Sequence, residues 1–215
     1  VGVVIGRFMP PHRGHQYLID FARGMVDRLY VLVCTLSWEP IPGDLRFQWV
    51  QELCPLCTVV HITEEIPEAR RDNPKAPGIW ADTIRRYVPD TVTHVFASED
   101  YGWKVAAEMD ATFVPVDPAR HSIPVSASAI RANPMNNWQF IPPPVRTYFV
   151  RHVAILDAAD LARAVARALE TVVVESYRHF VDASVARGHL LDGTIEQAER
   201  SAVRALTRHA NRVVI

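Results

Sequence analysis

Short runs rich in β-branched residues alternate with amphipathic stretches in the first part of the chain, and this alternation constrains the fold most strongly. Candidate strands are Val1–Ile5, Leu29–Cys34, Thr58–His61, Thr93–Ala97 and Thr112–Val116. Candidate helices are Gly14–Val26, Gly43–Leu53, Gly78–Tyr87 and Tyr101–Met109. Such alternation predicts right-handed βαβ units around a parallel sheet, which is an α/β fold. Ligands of parallel sheets bind beyond the carboxyl ends of the strands, so the residues after Ile5, Cys34 and Ala97 are the first candidates for a site.

The composition changes near residue 145 and divides the chain into two parts. All 16 prolines lie at or before Pro144 and all five tryptophans at or before Trp138, whereas Arg, Ala and Val dominate afterwards. The run Pro142–Pro144 is typical of a stiff connector or a helix start. We therefore predict a first domain over residues 1–145 and a second segment over residues 151–215. In the second segment we expect strands at His152–Leu156 and Thr171–Val174, a helix at Leu161–Leu169 and the start of a strand at Val213–Ile215.

Charge and composition exclude several classes of protein. The chain has 23 Lys and Arg against 24 Asp and Glu, for a net charge of −1, which gives general nucleic-acid binding no electrostatic support. No apolar run approaches the roughly 18 residues that a membrane-spanning helix requires. Three cysteines are too few for a disulfide framework. We expect a soluble, cytoplasmic globular protein that does not enter a membrane.

A loop containing two glycines and two histidines follows the first strand directly. Residues 6–15 read Gly-Arg-Phe-Met-Pro-Pro-His-Arg-Gly-His. Gly6 lets the backbone approach a ligand closely, and Gly14 relieves crowding where the helix begins. His12 and His15 lie three residues apart at a helix start, so both can donate to phosphate oxygens beside the positive helix N-terminus. Two incidental histidines are the alternative if this spacing is considered alone.

A second phosphate-binding pattern lies at residues 125–131, which read Val-Ser-Ala-Ser-Ala-Ile-Arg. The hydroxyls of Ser126 and Ser128 and the guanidinium of Arg131 would supply donors and positive charge at a helix start. Taken alone, the segment is a serine N-cap followed by a surface arginine.

Together the two patterns resemble the signatures of the nucleotidyltransferase superfamily with the HIGH-like motif. The first matches Gly-x-Phe-x-Pro-x-His-x-Gly-His, and the second is similar to Ile-Ser-x-Ser/Thr-x-Ile-Arg, with Ala129 where some relatives carry lysine. The resemblance implies a Rossmann-like nucleotidyltransferase domain in which His12, His15 and Arg131 are catalytic and stabilise the phosphates of ATP. Further ATP contacts implied by it are Gly6, Arg7, Phe8, Met9, Gly14, Ser126, Ser128 and Ile130.

Smaller matches make the resemblance closest to the NadR-type nicotinamide-nucleotide adenylyltransferases. The segment Gly43–Arg46 followed by Trp49 looks like their segment after the second strand. The segment Pro77–Trp80 resembles their nicotinamide-side loop, where an indole can stack on the pyridinium ring. Core aromatics and surface charges are the structural alternatives for these matches. Nicotinamide-nucleotide contacts implied by the resemblance are Arg46, Asn73, Gly78, Trp80, Ser98, Glu99, Asp117, Pro118 and Arg120.

The implied reaction is an in-line attack of the 5′-phosphate of nicotinamide mononucleotide on the α-phosphorus of ATP, helped by Mg²⁺. It yields NAD and pyrophosphate and needs positioning and charge stabilisation rather than a side-chain nucleophile. No protein ligand is assigned to the metal, since substrate phosphates supply most of its ligands. The expected partners are these two small molecules, and a homo-oligomer stays open, as does the preference between nicotinamide and nicotinate forms. Alternatives are a regulator that senses NAD or ATP, and a related adenylyl- or cytidylyltransferase with another acceptor.

The second segment resembles part of a P-loop-kinase-like α/β domain. Glu175, Tyr177 and Arg178 are similar to the substrate side of the ribosylnicotinamide kinase domain of bifunctional NadR proteins. A P-loop kinase needs Gly-x-x-x-x-Gly-Lys-Ser/Thr after its first strand. This chain has no glycine from Trp103 to Arg187 and no lysine after Lys104, so we do not expect kinase activity from the sequence as it stands. A longer protein whose phosphate loop is missing here and a degenerate scaffold domain both remain open.

Two further features have structural interpretations. The motif Cys54-Pro55-Leu56-Cys57 lacks the second cysteine pair that a zinc site normally requires, although His61 is nearby. We favour buried structural cysteines, with a redox pair as the alternative. The charged run from Glu64 to Asp72 predicts a solvated loop, with a lid over the site as the alternative.

Overall fold

A computed structural model describes residues 1–66, 73–152 and 159–169, together with residues 197, 207–208 and 213–214. The chain divides into two compact units, Val1–Pro142 and Pro143–Ile215. None of the described helices is both long and apolar enough to cross a membrane.

The first unit is built on a five-stranded parallel sheet. Its strands are β1 (Gly2–Gly6), β2 (Leu29–Cys34), β3 (Thr58–Ile62), β4 (His94–Ala97) and β5 (Thr112–Pro115). Their order in the sheet is β3-β2-β1-β4-β5, and every neighbouring pair is parallel. The predicted α/β fold is therefore confirmed. Because β1 lies at the centre, the chain winds outward from it in both directions.

Four helices connect the strands, and two short helical segments follow β5. The connecting helices are α1 (Arg13–Met25), α2 (Gly43–Leu53), α3 (Ala76–Tyr87) and α4 (Tyr101–Glu108), and α5 (Ala127–Ala132) precedes a 3₁₀ turn at Trp138–Phe140. Helix α3 begins at Ala76, earlier than the predicted start at Gly78. Pro77 fits in its first turn because the missing N–H has no helical partner there.

The core has two layers because alternate side chains of each strand point to opposite faces. Val4 and Val33 belong to the cluster that also contains buried residues of α1 and α2. Val3 and Leu32 belong to a second cluster, together with buried residues of α3 and α4. All six residues of β2 are buried. Both faces of the sheet are therefore covered, as is usual for a parallel sheet.

The second unit contains α6 (Pro143–Phe149), β6 (Arg151–His152), α7 (Ala159–Ala168) and β7 (Val213–Val214). The two short strands pair in parallel, with Arg151 opposite Val213. The expected helix corresponds to α7, and the expected strand start at Val213 corresponds to β7. The remainder of the expected strand at 152–156 lies outside the described residues, as does the one at 171–174.

Candidate nucleotide-binding cleft

A cleft of about 1120 Å³ opens in the first unit at the carboxyl edge of the sheet. The last residues of β1, β2, β3 and β4 all line it. The strand order reverses direction at β1, so the cleft lies at the topological switch point where parallel sheets bind their ligands. The location agrees with the expectation from the strand pattern.

Fifteen of the candidate site residues line this cleft, and they include members of both phosphate-binding patterns. They are Gly6, Arg7, Phe8, Met9, His12, Gly14, His15, Trp80, Ser98, Glu99, Asp117, Arg120, Ser126, Ser128 and Arg131. Arg46, Asn73, Gly78, Pro118 and Ile130 do not line it. Glu175, Tyr177 and Arg178 lie outside the described residues. The binding roles of all these residues stay predictions.

The two histidines cap the N-terminus of α1 reciprocally. His12 is the N-cap residue, and its Nδ1 accepts the backbone N–H of Gly14 at 3.1 Å. The Nδ1 of His15 accepts the backbone N–H of His12 at 3.2 Å. This arrangement is a capping box with imidazole rings in place of the usual hydroxyl and carboxylate. The rings stack with their centroids 3.8 Å apart, so each histidine holds the other in place.

Capping determines the tautomer of both rings, and burial determines their protonation. A neutral imidazole whose Nδ1 accepts a hydrogen bond carries its hydrogen on Nε2. Burial, reinforced by the positive charge of Arg120, lowers the pKa of His12 from 6.5 to about 4. Burial, with His12 and Arg120 adding to it, also lowers the pKa of His15. At neutral pH the cleft therefore holds two neutral imidazoles, each with an Nε2–H that remains free of the capping bonds.

Gly14 leaves little room for a side chain beside the His12 ring. A Cβ on Gly14 would lie 3.0 Å from both Nδ1 and Cε1 of the His12 ring. The ring occupies that position because it caps the helix, so a larger residue at 14 would displace it. Phe8 is buried and has a φ of 47°. Its ring centroid lies 4.9 Å from that of His15.

Residues of the second pattern also line the cleft. Ser126 is the N-cap of α5, and its hydroxyl accepts the backbone N–H of Ala129 at 3.1 Å. The hydroxyls of Ser126 and Ser128 are 3.0 Å apart. Arg131 donates from its guanidinium to the carbonyl oxygen of Met9 in the first loop. The structure thus brings together two patterns that are far apart in the sequence.

Arg46 does not line the cleft, but it contacts the backbone of residues that do. Its side chain has no exposed surface, and it donates to the carbonyl oxygens of Ile41 at 3.0 Å and Cys34 at 3.3 Å, and to that of Arg7. It also forms an ion pair with Glu39. Because these protein groups take up the guanidinium donors, Arg46 joins the ends of β1 and β2 to α2.

The loop after β2 supplies cleft residues that the sequence patterns do not identify. Thr35, Leu36 and Trp38 line the cleft. Glu39 is buried, and its Oε1 lies 3.4 Å from the Arg7 guanidinium, which in turn lies 6.0 Å from the centre of the Trp38 ring. These residues follow β2 directly, and this position is the one feature of the sequence that could have marked them as cleft residues. They belong to no recognisable motif.

Asp117 organises the loop that carries Arg120. Its carboxylate accepts backbone N–H groups of His121 at 2.8 Å, Ser122 at 3.2 Å and Ile123 at 3.1 Å. Desolvation acts to raise the pKa of Asp117, but these donors outweigh it and leave the pKa lowered. The backbone N–H of Arg120 donates to the Asp117 carbonyl at 2.9 Å. Arg120 is therefore placed near the two histidines, where its charge lowers their pKa values.

The described part of the charged run after β3 also borders the cleft. Glu64 and Glu65 both line it. The carboxylate of Glu65 accepts the hydroxyl and the backbone N–H of Ser37, and these hydrogen bonds lower its pKa. Glu64 forms an ion pair with Arg86 at 3.0 Å. Residues 67–72, on which the prediction of a solvated loop or a lid also rests, lie outside the described residues.

Fold and cleft define a doubly wound parallel α/β protein with a ligand cleft at its switch point. No family model matches the chain. Two curated proteins named "Trifunctional NAD biosynthesis/regulator protein NadR", from Escherichia coli K12 and Salmonella typhimurium LT2, are each 29% identical over 173 residues. Each alignment covers 73% of this chain and 42% of the relative. The chain therefore spans less than half the length of these curated relatives.

Solved structures of NadR proteins share the fold. A NadR structure in complex with NAD and AMP-PNP has a TM-score of 0.73 at 20% identity, covering 99% of this chain and 67% of its own. A NadR structure in complex with NR has a TM-score of 0.70 at 19% identity, covering 99% of this chain and 65% of its own. Together with the curated relatives, these structures confirm the resemblance to NadR-type proteins that the two loop patterns and the smaller matches predict.

Proposed function

We propose that this protein transfers the adenylyl group of ATP to nicotinamide mononucleotide, producing NAD and pyrophosphate. The observation that carries the proposal is the stacked pair of neutral histidines at the start of α1, in one cleft with Arg131 of α5. The names of the curated relatives support the connection with NAD biosynthesis. A similar NadR structure was solved in complex with NAD and AMP-PNP, which supports nucleotide ligands for this chain.

The cleft has the donors that a bound triphosphate needs. The Nε2–H groups of His12 and His15 supply two donors, and the helix N-terminus that they cap contributes partial positive charge. Arg7, Arg120 and Arg131 line the same cleft and add guanidinium groups suited to phosphate oxygens. As negative charge grows on the leaving pyrophosphate, these fixed donors stabilise it more strongly than they stabilise the bound substrate.

The transfer requires no nucleophile from the protein. An oxygen of the 5′-phosphate of nicotinamide mononucleotide forms a bond to the α-phosphorus of ATP, and the bond from that phosphorus to the bridging oxygen of pyrophosphate breaks. The protein holds both reactants in line and excludes competing orientations. Trp80 lines the cleft and offers an indole face on which a pyridinium ring can stack.

We expect Mg²⁺ to enter the cleft as its complex with ATP. Among the described residues, no group of three or more His, Cys, Asp or Glu side chains is arranged to hold a metal ion. The guanidinium and imidazole donors of the cleft suit phosphate oxygens, so the phosphates themselves would supply most ligands of the ion. When bound, Mg²⁺ neutralises part of the phosphate charge.

The decisive test is NAD formation from nicotinamide mononucleotide, ATP and Mg²⁺, with nicotinate mononucleotide assayed in parallel to determine the preferred substrate. His15→Ala should reduce kcat by about 10²- to 10³-fold, because it removes a donor to the developing charge. His94→Ala is the matched control, since His94 lies in β4 outside the cleft, and it should retain full activity. Folded protein that binds ATP but forms no product from either nucleotide would favour a regulator that senses nucleotides or an enzyme with another acceptor.

A second activity, phosphorylation of ribosylnicotinamide, is proposed only for a longer protein that contains a phosphate loop. The word "trifunctional" in the names of the curated relatives supports more than one activity in such a protein. Residues 175–178, which resemble the kinase substrate side, lie outside the described residues. We expect this chain to show no ATP-dependent phosphorylation of ribosylnicotinamide, because it lacks Gly-x-x-x-x-Gly-Lys-Ser/Thr.

A further inference from the structure

Cys54 and Cys57 lie at the two ends of a tight turn between α2 and β3. Cys54 is the C-cap residue of α2, and the backbone N–H of Cys57 donates to its carbonyl oxygen at 3.0 Å. A turn closed in this way keeps its outer Cα atoms within about 7 Å of each other. Disulfides join Cα atoms that are about 4.4–6.8 Å apart. The backbone of the reduced turn is therefore already suited to a disulfide.

The two thiols are also close enough for each to shift the pKa of the other. The Cys54 thiol donates to the Val50 carbonyl at 2.8 Å, and that carbonyl also accepts the backbone N–H of Cys54 at 3.0 Å. Loss of the thiol hydrogen on oxidation would therefore leave the buried carbonyl with a donor, so the oxidised state creates no unpaired acceptor there.

The two cysteines differ in exposure and in acidity. Cys54 is only 6% exposed and packs in the cluster of α1 and α2, whereas Cys57 is partly exposed beside the exposed Leu56. The neighbouring Cys54 thiol lowers the pKa of Cys57 despite partial burial. The charge of Arg23 on α1 lowers it further, and the charge of Asp20 opposes this effect. Cys57 is thus the cysteine of the pair that combines access with thiolate character.

Cys34 provides an internal contrast. It is buried at the end of β2, and burial raises its pKa to about 12. It lines the nucleotide cleft, whereas Cys54 and Cys57 do not. A reaction at the pair is therefore distinguishable, by position and by rate, from any reaction at the third cysteine.

We infer that Cys54 and Cys57 form a reversible thiol–disulfide site, in which Cys57 attacks the oxidant and Cys54 resolves the product. The oxidant is a small disulfide such as glutathione disulfide. The Cys57 thiolate bonds to one glutathione sulfur, the disulfide of the oxidant breaks, and one glutathione thiolate leaves. The Cys54 thiol then loses its proton and attacks the Cys57 sulfur, which releases the second glutathione. Two protein thiols become one disulfide, and one glutathione disulfide becomes two glutathione thiols.

The test uses the full chain equilibrated in glutathione buffers from fully reducing to fully oxidising, then quenched by alkylation and analysed by intact mass and peptide mapping. We expect the oxidised protein to lose two hydrogen masses through a disulfide that maps to residues 54–57 and that dithiothreitol reverses. Cys34→Ala should behave identically. The absence of this disulfide in the most oxidising buffer would overturn the inference, as would a disulfide that includes Cys34.

The order of attack is tested with single variants whose folding is checked by circular dichroism. Cys54→Ala should accumulate one glutathionyl group on Cys57, and iodoacetamide should modify Cys57 at least about tenfold faster than Cys34. Cys57→Ser changes the more exposed position and should leave Cys54 slow to react. Faster modification of Cys54 than of Cys57 would overturn the assigned order. None of these results depends on the proposed adenylyl transfer, because the assay measures thiols alone.

Discussion

Arg46 and Glu39 form an ion pair in which neither side chain has any exposed surface. The same arginine donates to the backbone carbonyl of Arg7, and the second carboxylate oxygen of Glu39 lies 3.4 Å from the Arg7 guanidinium. Arg7 itself is exposed over 54% of its side chain and lines the cleft. The buried pair therefore positions Arg7: Arg46 binds its backbone carbonyl, and Glu39 contacts its guanidinium.

Replacing Arg46 should destabilise the protein severely. Arg46→Met leaves the Glu39 carboxylate buried without its main partner, and breaking such a pair costs about 3–5 kcal/mol of unfolding free energy. Arg85→Met is the matched control, because Arg85 pairs with Asp82 on the surface and such pairs contribute about 1 kcal/mol or less. Urea unfolding of both variants measures the difference. Equal losses in the two variants would contradict the supporting role of Arg46.

Two glycines of α1 should respond to alanine in opposite ways. In Gly14→Ala the new methyl group displaces the His12 ring, so the N-cap weakens by about 1 kcal/mol and the proposed activity falls by about 10- to 100-fold. In Gly24→Ala the methyl group meets no atom within 4 Å, and the helix gains about 0.5–1 kcal/mol. Thermal unfolding and NAD formation measure both effects. Full activity in Gly14→Ala would show that the cleft tolerates a displaced ring.

Stability should fall as the pH drops from about 6.5 to about 4. The folded protein holds the pKa of His12 at about 4 against an ordinary value of 6.5, so in this range the unfolded chain binds a proton that the folded protein does not. His12 therefore contributes about 3 kcal/mol to the free energy of unfolding above pH 6.5, and this contribution is lost as the pH falls toward 4. The lowered pKa of His15 acts in the same direction.

His12→Asn isolates this pH effect, because asparagine can still cap the helix but does not titrate. Urea unfolding between pH 4 and 7 should show a shallower loss of stability in this variant than in the wild type. His94→Gln, which changes a histidine outside the cleft, should keep the slope of the wild type. An unchanged slope in His12→Asn would mean that His12 is not the group responsible.

Arg131 should affect turnover more than folding. Arg131→Gln removes a guanidinium that lines the cleft, and we expect kcat/KM for NAD formation to fall by about 10²-fold, as is typical for the loss of a charge-stabilising donor. Arg28→Gln removes an arginine outside the cleft, paired with Asp90 at 2.7 Å, and should retain the activity. If both variants lost activity equally, a specific role for Arg131 would be excluded.

The fold could be predicted from the sequence because its signals are local. All five strands of the first unit lie within a residue or two of their predicted bounds. Short, uninterrupted apolar runs such as Leu29–Cys34 are typical of a strand buried on both faces. The loop at residues 6–15 is also predictable from local sequence. Its glycines, prolines and histidines are contiguous, and their position after a strand places them at the edge of the sheet.

The roles of single polar side chains depend on tertiary contacts that the sequence does not contain. The charge of Arg46 and its place in the NadR-like segment suggest a nucleotide contact. In the structure its side chain is buried and donates to four protein acceptors instead. Asp117 likewise has its carboxylate engaged by three backbone N–H groups. Trp38 and Glu39 belong to no motif, and only the packing around Arg7 shows what they contact.

Sequence alone thus determined the parallel α/β architecture, the place of the cleft and two of the segments that line it. The tertiary structure decided which charges face that cleft, and it decided that both histidines are neutral. The physical reason is that secondary structure and loop chemistry follow from short-range periodicity and backbone preferences. Protonation and side-chain direction instead follow from burial and from partners such as Arg120, which is far from His12 in the chain and near it only in the fold.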